Sequence, residues 1–219
     1  MIKAIFFDFD GTISDAKKIA YDSMVRTLDE FGYEFDKKKL EKLLGERTRS
    51  ILESLGLDIE NIDVIRKKFY KYFIDAAKNG GIKPCVSLKP LWELKKDYPL
   101  IVVSNSKTSF LKTSVKVLKI KGLFQKIYGE EKFNSKDKML EKLFRKMGIK
   151  ASEAIYVGDR FSDIEFARGA GCVAVAIHNK CAWSSLSLIK KEKPDYIIKD
   201  FVGLKNVVEK LEKADQISK

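Results

Sequence analysis

The first segment of the chain is an apolar run that ends abruptly in acidic residues. Ala4–Phe7 is an uninterrupted run of hydrophobic residues that favour β-strands, and Asp8 and Asp10 follow it closely. Such a run is typical of a strand in a parallel sheet that is covered on both faces. Side chains two positions apart in a strand lie on the same face, so the two carboxylates start on the same side. Gly11 then allows the backbone to turn sharply.

Two carboxylates at the end of a buried strand repel each other unless a positive charge lies near them. The repulsion costs roughly several kcal/mol, and a hard divalent cation with oxygen ligands relieves it. An isolated Asp-x-Asp more often marks a surface turn. Here the pair follows a buried strand and precedes Gly11-Thr12. The pattern therefore predicts a cation site at Asp8 and Asp10.

Beyond residue 84, apolar strands alternate with helical patterns. Further strands are predicted at residues 100–103, 126–128, 154–157, 172–177 and 196–198. This alternation predicts a doubly wound, Rossmann-like α/β sheet with parallel strands, whose ligands bind beyond the carboxyl ends of the strands. Three of these ends carry polar residues, namely Asp8 with Asp10, Ser104 with Asn105, and Asp159. We expect these residues to form one site.

The segment between the first strand, at residues 4–7, and the next one, at residues 100–103, has a different character. Its hydrophobic residues recur with helical periodicity, and glycines interrupt the pattern at several points. An all-helical insertion of this kind indicates a small domain attached to the α/β core by two linkers. The predicted division is a core of residues 1–14 and 82–219, a helical cap of residues 15–81, and linkers near residues 13–16 and 80–86.

Composition excludes some classes of protein. A hydrophobic content of 45% is enough for one sizeable core with a smaller satellite. The net charge of +12 attracts anions in general, whether phosphorylated metabolites or nucleic acid. No apolar run approaches the roughly 18 residues of a membrane span, and the three cysteines lack the spacing of a metal site. We therefore expect a cytoplasmic protein without a signal peptide or a membrane partner.

Several motifs give the chain a likeness to one family. The run Asp8-Phe9-Asp10-Gly11-Thr12 resembles the first signature motif of the haloacid dehalogenase superfamily of phosphatases and phosphotransferases. Ser104, at a strand end, resembles the second motif, and the run Gly158-Asp159-Arg160-Phe161-Ser162-Asp163 resembles the fourth. The likeness covers nearly the whole chain, and the helical insertion resembles the α-helical cap of phosphoglycolate-phosphatase-like members.

The resemblance implies a phosphatase that uses Mg²⁺ and forms an aspartyl-phosphate. In this family the first aspartate of the first motif is the nucleophile and the second is the general acid and base. These positions correspond to Asp8 and Asp10. The implied metal ligands are Asp8, Asp10, Asp159 and Asp163. Asp159 is then a direct ligand and Asp163 an auxiliary one.

The family also uses a lysine ahead of the fourth motif as a fixed positive charge. Lys136 is the expected residue because it opens a helix, and Lys132 and Lys138 are its rivals. The residues expected to bind the phosphoryl group are Gly11, Thr12, Ser104 and Asn105. Arg47 and Arg49 lie in a segment that resembles the substrate-facing cap loop. We expect them to reach a second anionic group, because guanidinium binds such groups bidentately.

The combined prediction is a monomeric or homodimeric phosphatase that acts on a small phosphorylated metabolite. One alternative is a phosphosugar mutase similar to β-phosphoglucomutase, but such proteins usually carry a histidine in the first cap helix where this chain has Ala20. A second alternative, a nucleic-acid-binding protein without catalysis, is suggested only by the net charge, and no basic-aromatic motif supports it. Phosphoglycolate, pyrophosphate, nucleotides and sugar phosphates all remain candidate substrates.

Overall fold

A computed structural model describes residues 1–57 and 62–217, and a parallel β-sheet forms its centre. The strands of these residues are β1 (Ala4–Phe7), β2 (Ser14–Asp15), β3 (Lys83–Pro84), β4 (Leu100–Val103), β5 (Lys126–Tyr128), β6 (Ala154–Gly158), β7 (Val173–Ile177) and β8 (Tyr196–Ile198). Six of them form the main sheet in the order β5-β4-β1-β6-β7-β8. All neighbouring strands of this sheet run parallel.

Helices connect these strands. The α-helices of the described residues are α1 (Lys17–Glu30), α2 (Lys37–Leu43), α3 (Thr48–Ser54), α4 (Ile62–Ala76), α5 (Lys89–Leu94), α6 (Thr108–Val117), α7 (Lys136–Met147), α8 (Phe161–Ala170), α9 (Leu186–Lys191) and α10 (Phe201–Ile217). None of these helices is both long and apolar enough to cross a bilayer.

The side chains of β1 explain its central position. Ile5 and Phe7 pack into one hydrophobic cluster, and Ala4 and Phe6 pack into another on the opposite face. All four are fully buried. A strand without polar side chains is stable only where both faces of the sheet are covered. The first cluster contains apolar residues of α5, α6 and α10, and the second contains those of α7, α8 and α9.

The first four helices form a cap on this core. The chain leaves the core through β2 and returns through β3, and these two short strands pair antiparallel. They lie in the two segments that we expected to act as linkers. At the base of the cap, the ring of Phe73 in α4 stacks on Phe110 of α6, with centroids 3.7 Å apart. The domain boundaries at 14/15 and 81/82 are still a prediction.

The structure confirms the predicted fold class, an α/β core with a parallel doubly wound sheet and a helical insertion. It differs from the sequence prediction in detail. Helix α9 and the pairing of β2 with β3 were not predicted. Strand pairing between segments far apart in the chain leaves no periodic signal when each strand has only two residues.

The register of the sheet brings the polar strand ends together. Phe7, the last residue of β1, is the partner of Val102 in β4 and of Val157 in β6. The residues that follow these three strands therefore emerge side by side at the carboxyl edge of the sheet. This edge is where ligands bind in doubly wound folds.

Candidate active site

Three buried carboxylates meet at the carboxyl edge of the sheet. Asp8 follows β1, Asp159 follows β6, and Asp163 lies in the first turn of α8. One oxygen of each carboxylate lies within 4.8 Å of the others, and all three side chains are buried. We call these residues the carboxylate cluster. A compact set of oxygen atoms without soft ligands is the donor set that Mg²⁺ prefers. The residues present therefore fit a magnesium ion.

Lys136 supplies the positive charge beside this cluster. Its Nζ donates hydrogen bonds to Asp8 Oδ1 at 3.0 Å and to Asp163 Oδ1 at 2.7 Å. The side chain is only 3% exposed although it opens α7. Lys132 is exposed, and exposed Lys138 bonds instead to Glu141. Of the three lysines considered, the structure brings only Lys136 to the carboxylates.

The cluster holds more negative charge than one lysine balances. Burial raises the pKa of Asp8, and the charge of Lys136 opposes this rise. Burial, followed by the charges of Asp163 and Asp8, raises the pKa of Asp159 well above its usual range. Burial alone would lower the pKa of Lys136, but the attraction of Asp163 and Asp8 outweighs it, and the pKa is raised. A further cation is therefore favoured when the carboxylates are ionised.

The first motif also orients Asp159. The Thr12 hydroxyl donates a hydrogen bond to Asp159 Oδ1, and the backbone N–H of Trp183 donates one to Oδ2, each at 2.8 Å. Gly11 has φ +86°, and a Cβ there would lie 2.3 Å from Asp159 Oδ2. We expected Gly11 and Thr12 to bind the phosphoryl group. The structure places both against Asp159, and the Thr12 hydroxyl positions this carboxylate. Their binding to the phosphoryl group stays a prediction.

Asp10 was the fourth expected metal ligand, but its side chain lies outside the carboxylate cluster. The hydroxyls of Ser14 and Ser106 donate hydrogen bonds to its two oxygens, at 3.1 and 2.5 Å. Burial raises the pKa of Asp10 from 3.8 to about 7, against the opposing hydrogen bond from Ser106. A carboxyl group of this kind is partly protonated at neutral pH, so it can both give and accept a proton.

The residues after β4 connect Asp8 to the cap. The Ser104 hydroxyl interacts with the Asp8 carboxylate and accepts a hydrogen bond from the backbone N–H of Ser106 at 3.3 Å. Asn105 donates from Nδ2 to the backbone carbonyl of Gly45 in the cap at 3.2 Å. Both Ser104 and Asn105 line the cavity described next.

A small cavity of about 40 Å³ lies between the core and the cap, next to Asp8 and Asp10. We call it the cap cavity. Its core wall also includes Ser104, Asn105, Ser106 and Trp183. Its cap wall consists of Ala20, Leu44, Gly45, Glu46, Thr48, Ile51, Phe69, Tyr70 and Phe73. A volume of this size holds only a few water molecules. The space between the cap and the core is therefore narrow in this structure.

The structure does not bring Arg47 and Arg49 into the cap cavity. Arg47 donates hydrogen bonds from Nη2 to the backbone carbonyls of Glu130, at 3.2 Å, and Phe133. Arg49 has a 62% exposed side chain and pairs with Glu53 one helical turn later. The reason is the phase of α3, which begins at Thr48 and turns Thr48 and Ile51 toward the cavity. Arg47 thus attaches the cap to the core, and Arg49 faces solvent.

Other residues at this boundary were not predicted from the sequence. Arg160 is buried, and its Nη1 donates to the backbone carbonyl of Leu44 in the cap. The indole ring of Trp183 lines the cavity, and its Nε1 is buried without a hydrogen-bond partner among the described residues. Arg160 lies inside the fourth motif, so its position beside the site could have been predicted from the sequence. Trp183 lies in an irregular segment, and no sequence pattern marks it.

The raised pKa of Asp10 predicts a pH-dependent stability. The folded protein keeps Asp10 protonated to about pH 7, whereas the unfolded chain releases this proton near 3.8. The stability gained from the protonated form is fully present below about pH 3.8, is partly lost at pH 5, and is lost once the pH passes about 7. Asp10→Asn should therefore stabilise the metal-free protein by about 2–3 kcal/mol more at pH 8 than at pH 5.

Urea unfolding in EDTA at the two pH values measures this difference. Asp22→Asn, at an exposed position of α1, is the matched control because it removes the same charge from the surface. An equal effect of Asp10→Asn at both pH values would contradict the raised pKa.

Comparison with known proteins agrees with this geometry. The sequence model of a family described as haloacid dehalogenase-like hydrolase matches residues 5–177. A protein from Caldanaerobacter subterraneus subsp. tengcongensis that is named as a pyrophosphatase, PpaX, is 28% identical over 215 residues, which cover 94% of each chain. A phosphoglycolate phosphatase from Aquifex aeolicus is 28% identical over 183 residues, or 78% of this chain and 82% of that protein.

A solved structure supports the fold independently. The haloacid dehalogenase-like hydrolase family protein from Streptococcus pneumoniae superposes with a TM-score of 0.78 at 22% identity, covering 94% of this chain and 98% of that chain. The family match spans β1 to β7 and therefore includes the cap and the carboxylate cluster. The chain belongs to the haloacid dehalogenase-like hydrolase family.

Proposed function

We propose that the protein is a Mg²⁺-dependent phosphatase that hydrolyses a small phosphorylated metabolite through an aspartyl-phosphate on Asp8. The observation that carries this proposal is the position of Asp8. Its carboxylate borders the cap cavity, bonds to Lys136, and belongs to a cluster with Asp159 and Asp163. A nucleophilic carboxylate needs this combination of access to substrate and nearby positive charge.

In the proposed reaction, an oxygen of Asp8 attacks the phosphorus and displaces the leaving oxygen. Asp10 gives its proton to that oxygen, and then takes a proton from the water that hydrolyses the aspartyl-phosphate. The pKa of about 7 suits Asp10 to both steps. Ser104 and Asn105, on the core wall of the cavity, are candidates to bind the phosphoryl oxygens.

Asp8, Asp159 and Asp163 are the residues that would hold Mg²⁺. When bound, the ion would supply positive charge to the oxygens of the transferring phosphoryl group. Lys136 holds Asp8 and Asp163 through its two hydrogen bonds. Thr12 and the backbone of Trp183 keep the Asp159 carboxylate in a fixed orientation.

The cap would exclude water while the aspartyl-phosphate forms and admit it afterwards. The small volume of the cavity supports this function, because a substrate enters only if the cap opens. The cavity also favours a hydrolase over a phosphosugar mutase. Ala20 lines its cap wall and offers no group that could exchange a proton with a sugar.

Phosphoglycolate and pyrophosphate are the first substrates to test, because two relatives of this chain are named as a phosphoglycolate phosphatase and a pyrophosphatase. The assay uses these two compounds, sugar phosphates, nucleotides and p-nitrophenyl phosphate. We expect EDTA to abolish hydrolysis and excess Mg²⁺ to restore it, since the cluster offers only oxygen ligands. Full activity after exhaustive chelation would contradict the metal dependence.

A variant of the cluster sharpens this test. Asp163→Asn should raise the Mg²⁺ concentration for half-maximal activity by about 10- to 100-fold, because it removes one carboxylate from the ion's surroundings. Asp137→Asn is the matched control, since Asp137 lies next to Lys136 in α7 but outside the cluster. Equal Mg²⁺ requirements for the two variants would exclude Asp163 as a metal residue.

A further inference from the structure

The cap wall of the cavity is mainly apolar. Ala20, Leu44, Ile51, Phe69 and Phe73 form most of it. These side chains surround the part of the substrate that is not the phosphoryl group, because the phosphoryl group must lie against Asp8 on the core wall. An apolar wall recognises its ligand by shape and by excluding water. It offers no opposite charge to an ionised group of the ligand.

The polar groups of the cap wall do not supply a positive charge either. They are Glu46, Thr48 and Tyr70. Burial raises the pKa of Tyr70 well above its usual range, so its hydroxyl is neutral. The Tyr70 hydroxyl already accepts a hydrogen bond from the backbone N–H of Lys107 at 3.1 Å. Glu46 adds a carboxylate to the wall. Among the described residues, no arginine or lysine lines this cavity.

The arginines of the cap loop are engaged elsewhere. Arg47 bonds to the carbonyls of Glu130 and Phe133, and its guanidinium lies 5.1 Å from the Phe133 ring centroid. Arg49 pairs with Glu53 on the exposed face of α3. Neither guanidinium can bind a substrate in this arrangement of the cap without breaking these contacts.

Two further cations lie behind the cavity wall. Arg160 bonds to the carbonyl of Leu44, and its Nη2 lies 3.9 Å from Glu46 Oε1. Its charge is therefore offset by Glu46. The Nζ of Lys107 lies 4.8 Å from the centroid of the Tyr70 ring. Neither Arg160 nor Lys107 lines the cavity.

We propose that the substrate is a phosphomonoester whose leaving group carries no charge. This inference rests on the proposed phosphatase function and adds the substrate class. A leaving group with a carboxylate or a second phosphate would be held between apolar side chains and Glu46 without a counter-ion. Burying an unpaired anion is expensive, whereas an uncharged alcohol fits the same wall without this cost. The chain thus differs in specificity from relatives that are named for phosphoglycolate or pyrophosphate.

The test compares two substrates that share a carbon skeleton. Phosphoglycolate carries a carboxylate, and 2-hydroxyethyl phosphate carries an uncharged hydroxymethyl group in its place. We expect kcat/KM to be about tenfold or more higher for 2-hydroxyethyl phosphate. The assay contains about 0.2 M NaCl, because the protein's net positive charge would otherwise favour the more anionic compound at long range. Pyrophosphate should also be a poorer substrate than 2-hydroxyethyl phosphate.

Glu46→Gln tests the cause of this preference. Removing the carboxylate also leaves Arg160 without this partner, and it should raise the ratio of kcat/KM for phosphoglycolate to that for 2-hydroxyethyl phosphate by about three- to tenfold. Glu34→Gln is the matched control, because Glu34 is an exposed cap residue outside the cavity wall. It should leave the ratio of the two kcat/KM values unchanged.

The outcomes separate this inference from the proposed function. Hydrolysis of p-nitrophenyl phosphate together with equal or better hydrolysis of phosphoglycolate than of 2-hydroxyethyl phosphate would overturn the inference alone. A preference for the neutral compound with an equal response of both substrates to Glu46→Gln would overturn the assigned cause. If no phosphomonoester is hydrolysed in the presence of Mg²⁺, both the inference and the proposed function fail.

Discussion

Asp8→Asn is expected to abolish turnover while the protein stays folded. Asparagine has the same shape as aspartate, so its carbonyl oxygen can still accept a hydrogen bond from Lys136. Its amide is not a nucleophile, and no aspartyl-phosphate can form. We expect kcat to fall by about 10⁴-fold or more for every phosphorylated substrate. The fold should survive because the change removes one of three crowded carboxylates.

Steady-state assays of the purified variant measure this loss, and circular dichroism shows whether the fold is intact. Asp15→Asn, at an exposed aspartate of β2, is a control for the loss of one negative charge near the first motif. It should keep most of the activity. Substantial phosphatase activity of a pure and folded Asp8→Asn protein would contradict the covalent mechanism.

Lys136→Met is expected to have the largest effect on stability. Methionine fills a similar volume, but it leaves the buried carboxylates of Asp8 and Asp163 without their shared cation. Removing one partner of a buried ionic group typically costs about 3–5 kcal/mol. The loss should be greater at pH 8 than at pH 5, because burial already raises the pKa of Asp8 and Asp159 and both can take up protons at low pH.

Urea unfolding of the metal-free protein at both pH values measures this effect. Lys138→Met is the matched control, since this exposed lysine lies in the same helix and bonds only to Glu141 among the described residues. It should change stability little. A loss that does not depend on pH would mean that Lys136 stabilises the protein by packing, and not by its charge.

Much of the core was predictable because its signals are local. The apolar run of β1 and the acidic residues behind it are adjacent in the chain, and parallel pairing then brings Asp8 close to Asp159. Lys136 required the resemblance to a family, because a chain with 43 lysine and arginine residues offers many candidates. Its burial beside Asp8 and Asp163 becomes visible only when α7 is placed on the sheet.

The cap wall was not predictable in the same way. The set of side chains that the cap wall turns toward the substrate depends on where α3 begins after the loop that contains Gly45 and Glu46. A shift of one residue would change this set. From the sequence of this loop we expected Arg47 and Arg49 to contact the substrate. In the structure, Thr48 and Ile51 line the cavity instead. Periodicity within a seven-residue helix does not set its rotation relative to a partner domain.

The position of Trp183 has an optical consequence. The indole lies between the core and the cap, so that a Cβ added to Gly11 in the core or to Gly45 in the cap would collide with its ring. In the proposed opening of the cap, Gly45 would move away and one face of the indole would be exposed to water, which would shift its fluorescence to longer wavelength. The other tryptophan, Trp92, is 38% exposed on the core surface. In a Trp92→Phe protein the emission spectrum would therefore report the proposed opening and closing of the cap alone, and a stopped-flow trace would separate the rate of that movement from the rate of the proposed phosphoryl transfer.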